Sequence, residues 1–263
     1  MILNIEEKGR VDKNAMIRLI AVLIFVILFL ICSIPIWGVE WLIAKKYPHT
    51  ADLSQLRIVQ WAFNVVLFLS GTKVIVNGEE NVPKDEAVLY IGNHRGFFDT
   101  VTTYARCPEV TGYVAKDSIE HVPLLSTWMK RLHCQFLNRE DKKEGLKMIL
   151  ECIDLVKKGT SICIFPEGTR CESPDDTEML PFKEGSFKIA EKTGCAVVPM
   201  AITGSADVFE KHYPWIKAAT VTIAYGRPIY PKELPKDQQK HLGSYTQEII
   251  RKMLKEQANA KNS

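Results

Sequence analysis

The sequence predicts an α/β fold, with a mostly parallel central sheet flanked by helices, preceded by an N-terminal membrane-associated helical segment. Two observations lead to this prediction. After Gly71, short and wholly apolar runs alternate with helical stretches, which is typical of a parallel sheet buried on both faces. Before Gly71, apolar residues are concentrated far above the average of the chain. We therefore expect an N-terminal anchoring segment over 1–71, an α/β domain over 72–256 and a flexible tail over 257–263.

The first apolar run explains the membrane prediction. Leu19–Val39 contains 21 consecutive uncharged residues, enough for one helix to cross a hydrocarbon core of about 30 Å. A cleaved signal peptide is the main alternative, but the run is long for a signal and no A-x-A cleavage pattern follows it. Pro35 could kink the segment, so a two-helix hairpin within one leaflet also stays open.

The second apolar run, Ile58–Gly71, has 14 residues and is short for a membrane span. It predicts an interfacial or re-entrant helix, with a buried helix of the following domain as the alternative.

The elements after Gly71 follow from residue periodicity. Strands are predicted at Lys73–Asn77, Ala87–Gly92, Gly112–Ala115, Cys134–Leu137, Ser161–Phe165, Ala196–Ile202 and Thr220–Tyr225. Helices are predicted at Phe98–Arg106, Lys142–Lys158, Ser186–Lys192 and Pro235–Gln257.

Charge and cysteine content narrow the function classes. The net charge of +3 and the absence of a basic run with interleaved aromatics argue against nucleic-acid binding. The seven cysteines never have C-x-x-C spacing, so neither a disulfide framework nor a zinc site is predicted. We expect no metal and no cofactor, and we expect a reducing compartment.

The first chemical cluster follows the strand AVLYIG. His94 leaves this strand and Asp99 follows five residues later. A turn through Gly96 would bring the pair together, so that the carboxylate fixes one imidazole nitrogen and leaves the other as a base. The alternative is that Asp99 merely caps the next helix while His94 is a polar loop residue.

Two further clusters also end apolar strands. In Ser161–Arg170, SICIFPEGTR, a turn through Pro166 and Gly168 would expose backbone N–H groups beside an arginine, which suits a phosphate. A solvated β-turn is the alternative. The third cluster, Phe136–Arg139, indicates little by itself. It is a candidate because it also ends an apolar strand, and the carboxyl ends of parallel strands lie together at one edge of the sheet.

These motifs together resemble the glycerophospholipid acyltransferases of the 1-acylglycerol-3-phosphate acyltransferase type. The resemblance covers about 73–227. The N-H-x-x-x-x-D block is present in full, as is F-P-E-G-T-R about 70 residues later. The family block G-x-x-F-x-x-R has His133 in place of its glycine, and V-P-M (198–200) matches the fourth block.

The resemblance implies a role for each matching residue. His94 would be the general base and Asp99 its orienting partner, with oxyanion donors expected among the backbone N–H groups near the His94 turn. Residues implied to bind substrate are Asn93, Lys116, Phe136, Arg139, Glu167, Gly168, Thr169, Arg170 and Pro199.

The implied reaction transfers a fatty acyl group from acyl-CoA or acyl carrier protein to lysophosphatidic acid, giving phosphatidic acid at a membrane. The acceptor could instead be another lysolipid or glycerol 3-phosphate. A non-catalytic phospholipid-binding protein is the alternative from another class. A metal-dependent hydrolase using His94, Asp99, His121 and His133 lacks metal-ligand spacing.

Overall fold

The computed structural model describes residues 12–139 and 141–262. Its helices are α1 Lys13–Cys32, α2 Ile34–Ala44, α3 Pro48–Ser70, α4 Phe97–Tyr104, α5 Leu125–Arg131, α6 Lys142–Lys157, α7 Lys188–Thr193, α8 Lys236–Lys240 and α9 Leu242–Asn262. Its strands are β1 Lys73–Asn77, β2 Leu89–Gly92, β3 Thr111–Lys116, β4 Gln135–Leu137, β5 Ser161–Ile164, β6 Val197–Thr203 and β7 Thr220–Tyr225.

The strands form one seven-stranded sheet in the order β1-β7-β6-β2-β5-β3-β4. Every neighbouring pair is parallel except β6–β7. The predicted α/β class is therefore confirmed, and each predicted strand exists within two residues of its expected bounds. The prediction succeeded because the central strands, such as LYIG and SICI, are buried along their whole length.

The predicted helix Pro235–Gln257 is divided at His241 into α8 and α9, and its end lies beyond the predicted one. It was expected to end at Gln257, followed by a flexible tail, but α9 continues to Asn262. The segment QANAKN contains neither glycine nor proline, so no residue forces the helix to stop.

The first apolar run forms two helices rather than one. The chain leaves α1 at Ser33 and starts α2 at Ile34, with Pro35 in the first turn of α2. A proline there cannot donate to the preceding turn, so the helix is interrupted at that point. Half of the residues of α1 are exposed, including Ile20, Leu23, Ile24, Ile27, Leu28 and Ile31.

The second apolar run is part of a longer helix, α3, which starts at Pro48. One face of α3 is buried against the rest of the protein through Leu56, Val59, Val66 and Leu67, while Phe68 is 83% exposed. This geometry favours the buried-helix alternative for one face of the segment. By length and composition α1 and α3 are the two helices of the described chain that could cross a membrane, a feature consistent with membrane association and shared by buried core helices.

The N-terminal helices share a hydrophobic core with the α/β part. Val22, Leu56 and Val66 belong to the same buried cluster as Tyr90 and Phe98. Polar contacts add to this packing, because Trp128 Nε1 of α5 donates to Ser33 Oγ at 2.8 Å. Gly71 ends α3 in the left-handed conformation. Because the helices before it share a core with the strands after it, a domain boundary at residue 71 stays a prediction.

His133 stands where the resembling family has glycine. Its φ is +58°, in the left-handed region that costs a residue with a Cβ roughly 1–2 kcal/mol. Its Nε2 lies 3.0 Å from Oδ2 of Asp52 in α3. The backbone shape of a glycine is therefore kept, and the side chain gains a contact with the N-terminal helices.

This arrangement predicts that His133→Gly is more stable than His133→Ala. Both variants lose the contact with Asp52, but only glycine relieves the left-handed strain, by roughly 1 kcal/mol. In a protein of this size we expect the glycine variant to unfold about 2–4 °C higher. Thermal unfolding of the two variants in one detergent measures the difference. An equal or lower Tm for the glycine variant would contradict the assignment of strain.

Candidate active site

The candidate residues follow parallel strands and therefore lie at one edge of the sheet. β2 leads into His94, β5 into the Phe165–Arg170 turn, β3 ends at Lys116 and β4 precedes Arg139. Because β6 is parallel to β2, the loop after β6 reaches the same edge. The carboxyl ends of parallel strands are where such folds bind ligands.

His94 and Asp99 form a hydrogen-bonded pair, with Nδ1 of the imidazole 2.8 Å from Oδ2 of the carboxylate. The same oxygen accepts the backbone N–H groups of Arg95 at 2.6 Å and Gly96 at 2.8 Å. Asp99 therefore combines both alternatives considered from the sequence, because it holds the turn at the start of α4 and contacts the imidazole.

The imidazole has a defined orientation. An ionised carboxylate only accepts hydrogen bonds, so Nδ1 carries the proton and Nε2 keeps a lone pair. The ring stacks on Phe165, with centroids 4.6 Å apart and planes 15° from parallel. The side chain of Asp99 is fully buried, whereas that of His94 is 17% exposed. His94 is therefore an imidazole base whose Nε2 is free and whose side chain is partly open to solvent.

Three carboxylates accept four successive N–H groups of the turn. His94 N donates to Glu167, Arg95 N and Gly96 N donate to Asp99, and Phe97 N donates to Glu210. The expectation that this turn supplies the oxyanion donors is therefore not supported, because its N–H groups over 94–97 are already used.

Glu167 joins the F-P-E-G-T-R turn to the His94 turn. Its Oε1 accepts His94 N and its Oε2 accepts Leu180 N, each at 2.6 Å, and the residue is 4% exposed. Cys171 N donates to His94 O at 2.8 Å, so the segment after β5 holds the His94 backbone from both sides. The observed contacts of the Glu167 side chain are thus with the backbone, and its role in substrate binding stays a prediction.

The burial of Glu167 predicts a pH-dependent stability term. Burial raises the pKa of Glu167 to about 7, although the N–H groups of His94 and Leu180 oppose this shift. The folded protein thus holds this proton more tightly than the unfolded chain, so the contribution of Glu167 to the free energy of unfolding falls as pH rises from about 4.5 to 7. Glu167→Gln does not titrate, and its amide can accept only one of the two N–H groups.

We expect the stability of the wild type relative to Glu167→Gln to fall by up to about 3 kcal/mol between pH 4.5 and 7.5. Denaturant unfolding at both pH values measures it, and shifts from other groups cancel in the comparison. A difference between the two proteins that does not change with pH would show that Glu167 keeps an ordinary pKa.

Cationic side chains lie at the same edge of the sheet as the His94–Asp99 pair. Arg170 is half-exposed and its NH1 group donates to Glu210 Oε1 at 2.8 Å. Arg139 is exposed, but its partial desolvation, followed by the charge of Arg170, lowers its pKa, whereas Asp117 opposes the shift. Lys116 is exposed and lies opposite Leu137 at the ends of β3 and β4. The edge that carries the base therefore also carries several cations.

The turn that presents Arg170 depends on Gly168. Its φ is +75°, and a Cβ there would lie 2.5 Å from Nζ of Lys183. Thr169 is exposed next to it. A glycine is needed for the backbone conformation, so Gly168 shapes the turn and brings the ammonium of Lys183 close to it.

Two predicted substrate-binding residues make contacts within the sheet and its packing. Asn93 is fully buried and exchanges two hydrogen bonds with the backbone of Ile202, at 2.9 and 2.8 Å, which joins β2 to β6. Pro199 alternates with Met200 along β6, so the two side chains point to opposite faces. Pro199 lies against Gly226 on the α9 side, and Met200 lies near Gly92 on the Phe165 side. The observed contacts of Asn93 and Pro199 are thus structural, and their roles in substrate binding stay predictions.

Phe136 is half-buried in β4, and the ammonium of Lys130 lies 5.9 Å from its ring centroid. The role of Phe136 as a substrate contact stays a prediction.

The sequence reasoning missed Arg95, Glu210 and Lys183. Arg95 is 3% exposed and donates to Asp176 Oδ1 at 3.0 Å and to the carbonyl of Ser173, which fastens the loop after the F-P-E-G-T-R turn. Its position directly after His94 was a signal that could have been used. No local signal exists for Glu210, which lies 113 residues from its partner Phe97.

A metal centre finds no support in the described ranges 12–139 and 141–262. They contain no cluster of three or more potential metal ligands, and Nε2 of His133 is paired with Asp52. All seven cysteines fall in these ranges and none forms a disulfide.

An acid–base pair at the edge of a parallel sheet, beside cations, suits an enzyme that transfers a group to a hydroxyl of an anionic acceptor. Comparisons with known proteins agree with this class of enzyme. Residues 73–203 match a family model described as Acyltransferase. A 1-acyl-sn-glycerol-3-phosphate acyltransferase of Borreliella burgdorferi is 32% identical over 193 residues, which are 72% of this chain and 75% of that protein. The chain therefore belongs to the acyltransferase family that includes this relative.

Other relatives extend the comparison. A chloroplastic 1-acyl-sn-glycerol-3-phosphate acyltransferase of Brassica napus is 32% identical over 160 residues, but the match spans only 45% of its length. The crystal structure of the 1-acyl-sn-glycerophosphate acyltransferase PlsC from Thermotoga maritima superposes with a TM-score of 0.73 at 22% identity, covering 92% of this chain and 97% of that one. This likeness shows a common fold.

Proposed function

We propose that this chain transfers a fatty acyl group from acyl-CoA or acyl carrier protein to the free hydroxyl of 1-acylglycerol 3-phosphate, producing phosphatidic acid. The observation that carries the proposal is the His94–Asp99 pair, in which Nδ1 is bound and Nε2 is left with a lone pair. Family membership supplies the reaction class, and the relatives named above act on this acceptor according to their names.

The proposed chemistry is a direct transfer. His94 Nε2 removes the proton of the acceptor hydroxyl while its oxygen attacks the thioester carbonyl carbon. The tetrahedral intermediate then collapses, the C–S bond breaks, and the imidazolium returns the proton to the leaving thiolate. Asp99 stabilises the imidazolium between these steps. Cys163 and Cys171 are too buried to act as nucleophiles, and burial raises the pKa of Cys163.

The acceptor phosphate is proposed to bind near Arg170, Arg139, Lys116 and the exposed Thr169. A guanidinium presents several N–H donors in one plane and suits phosphate oxygens. These residues come from β3, β4 and β5, which are neighbours in the sheet. Another lysolipid or glycerol 3-phosphate would meet the same cations, so these acceptors belong to the same proposal.

A non-catalytic phospholipid-binding protein would not need the buried pair. Burying the Asp99 carboxylate is costly unless it is well satisfied, and here one oxygen accepts three donors while the other has no partner among the described residues. Binding a phosphate gains nothing from this arrangement, whereas a base does. The geometry therefore favours the enzyme.

Membrane attachment is proposed to occur through the exposed apolar surface of α1 and α2, which includes Trp41 and Leu42. The α/β part, residues 72–256, would then act on an acceptor that already resides in the bilayer. We propose that it faces a reducing compartment, the cytosol, in keeping with its free cysteines.

A product assay by mass spectrometry tests the function. Detergent-purified protein is incubated with oleoyl-CoA and 1-oleoylglycerol 3-phosphate, and in parallel with acyl carrier protein loaded with the same chain. Phosphatidic acid is the expected product. Products only from glycerol 3-phosphate or another lysolipid would reassign the acceptor. Absence of product with either donor and every acceptor would refute the proposed function.

A further inference from the structure

Glu210 is an acidic residue at the edge of the site, in the loop that follows β6. Its Oε1 accepts two donors, the backbone N–H of Phe97 at 2.7 Å and NH1 of Arg170 at 2.8 Å. Phe97 is the first residue of α4, three residues after His94. One carboxylate oxygen therefore joins the proposed phosphate-binding arginine to the turn that carries the proposed base.

The second oxygen of Glu210 is enclosed. Oε2 is buried and has no hydrogen-bond partner among the described residues. A Cβ built on Gly96 would lie 2.5 Å from Oε2, so the carboxylate packs directly on the glycine of the turn. Burial raises the pKa of Glu210, opposed by the donors Phe97 N and Arg170. A carboxylate in such a position is costly to bury, and Arg170 is the charged group that compensates it.

Lys211, the neighbouring cation, does not replace Arg170 as the group that compensates the charge of Glu210. Lys211 is adjacent in sequence, but its ammonium lies 2.7 Å from Asp207 and 3.5 Å from Asp176. Asp99, across the turn, adds negative charge. Arg170 is thus held by Glu210 at a fixed place although half of its side chain is exposed.

We propose that Glu210 is a positioning residue for the acceptor phosphate, which orients Arg170 beside the His94 turn. NH1 of Arg170 is used by Glu210, while the remaining N–H donors of the planar guanidinium stay available for phosphate oxygens. An arginine that is already ordered loses less side-chain entropy when it binds a ligand. This inference rests on the proposed function, because it takes Arg170 as a contact of the acceptor.

The test compares the wild type with Glu210→Gln, Arg170→Ala and the double variant. Glutamine keeps the shape and an acceptor for Phe97 N but removes the charge that holds Arg170. Glu248→Gln is the matched control, because it breaks an arginine–glutamate pair on the exposed surface of α9, with Arg251. The ligand is 1-oleoyl-2-deoxyglycerol 3-phosphate, which lacks the hydroxyl to be acylated, so its Kd is measured without turnover.

We expect Glu210→Gln to raise this Kd roughly three- to tenfold, as the loss of one charge-assisted hydrogen bond at a half-exposed arginine suggests. In the Arg170→Ala background the same change should have no further effect, because Glu210 acts through Arg170. A purely structural role would not produce this dependence. The control should bind like the wild type.

Tighter binding by Glu210→Gln would show that Glu210 competes with the phosphate, and it would overturn the proposal. Unchanged binding, or effects that add in the double variant, would overturn it as well. Glu210→Asp keeps the charge with a shorter side chain and should bind between the wild type and Glu210→Gln, which guards against a glutamine variant that folds poorly.

Failure of the proposed function is detected separately. If the wild type binds the deoxy ligand but forms no product in the mass-spectrometric assay, the reaction assignment fails while the Kd comparison still decides the role of Glu210.

Discussion

Replacing His94 by alanine is expected to lower kcat by roughly 10²–10⁴-fold, the usual contribution of a general base. The acceptor hydroxyl then loses the base proposed to take its proton, and His133 is already paired with Asp52 in α3. The change leaves Asp99 with two backbone donors, Arg95 N and Gly96 N, so the turn should keep its shape.

The Kd of 1-oleoyl-2-deoxyglycerol 3-phosphate should change little in His94→Ala, since the cations remain. Arg170→Ala is the matched comparison and should behave in the opposite way, with weaker acceptor binding and a smaller effect on kcat. Rates come from the mass-spectrometric assay at saturating acceptor. Equal loss of binding in both variants would contradict this division of roles.

Replacing Asp99 by asparagine is expected to lower kcat by roughly 10²-fold or more, with little change in folding. Three N–H groups converge on Oδ2, so the amide oxygen of asparagine should take that place and its NH₂ group the place of Oδ1. His94 would keep the proton on Nδ1, and the variant would lose only the negative charge that stabilises the imidazolium.

Asp99→Ala serves as the contrasting variant. It leaves three donors without their acceptor, two of them in the buried turn, each costing about 1–3 kcal/mol, and it should therefore lower the Tm as well as the rate. Comparing kcat and Tm of both variants separates charge from structure. An asparagine variant with more than half of the wild-type rate would show that the charge of Asp99 does not matter for turnover.

The sequence alone was enough for the class of fold and for the local part of the site. The strands were recognisable because buried parallel strands are apolar throughout, as in β2 and β5. The His94–Asp99 contact was foreseeable because a turn joins residues five apart. The proline that divides α1 from α2 was visible as a kink. α5 was missed, since its seven residues are too few for a clear helical period.

The tertiary structure decided the contacts between distant segments. Glu167 reaches the His94 backbone across 73 residues, Asn93 joins Ile202 across 109, and Arg170 joins Glu210 across 40. These contacts give Asn93 and Glu167 structural partners that the sequence did not predict, and they introduce Glu210. Backbone dihedral angles of consecutive residues fix a turn, so local sequence predicts it. Which loops meet at one edge depends on the order of the strands, and residue periodicity carries no information about that order.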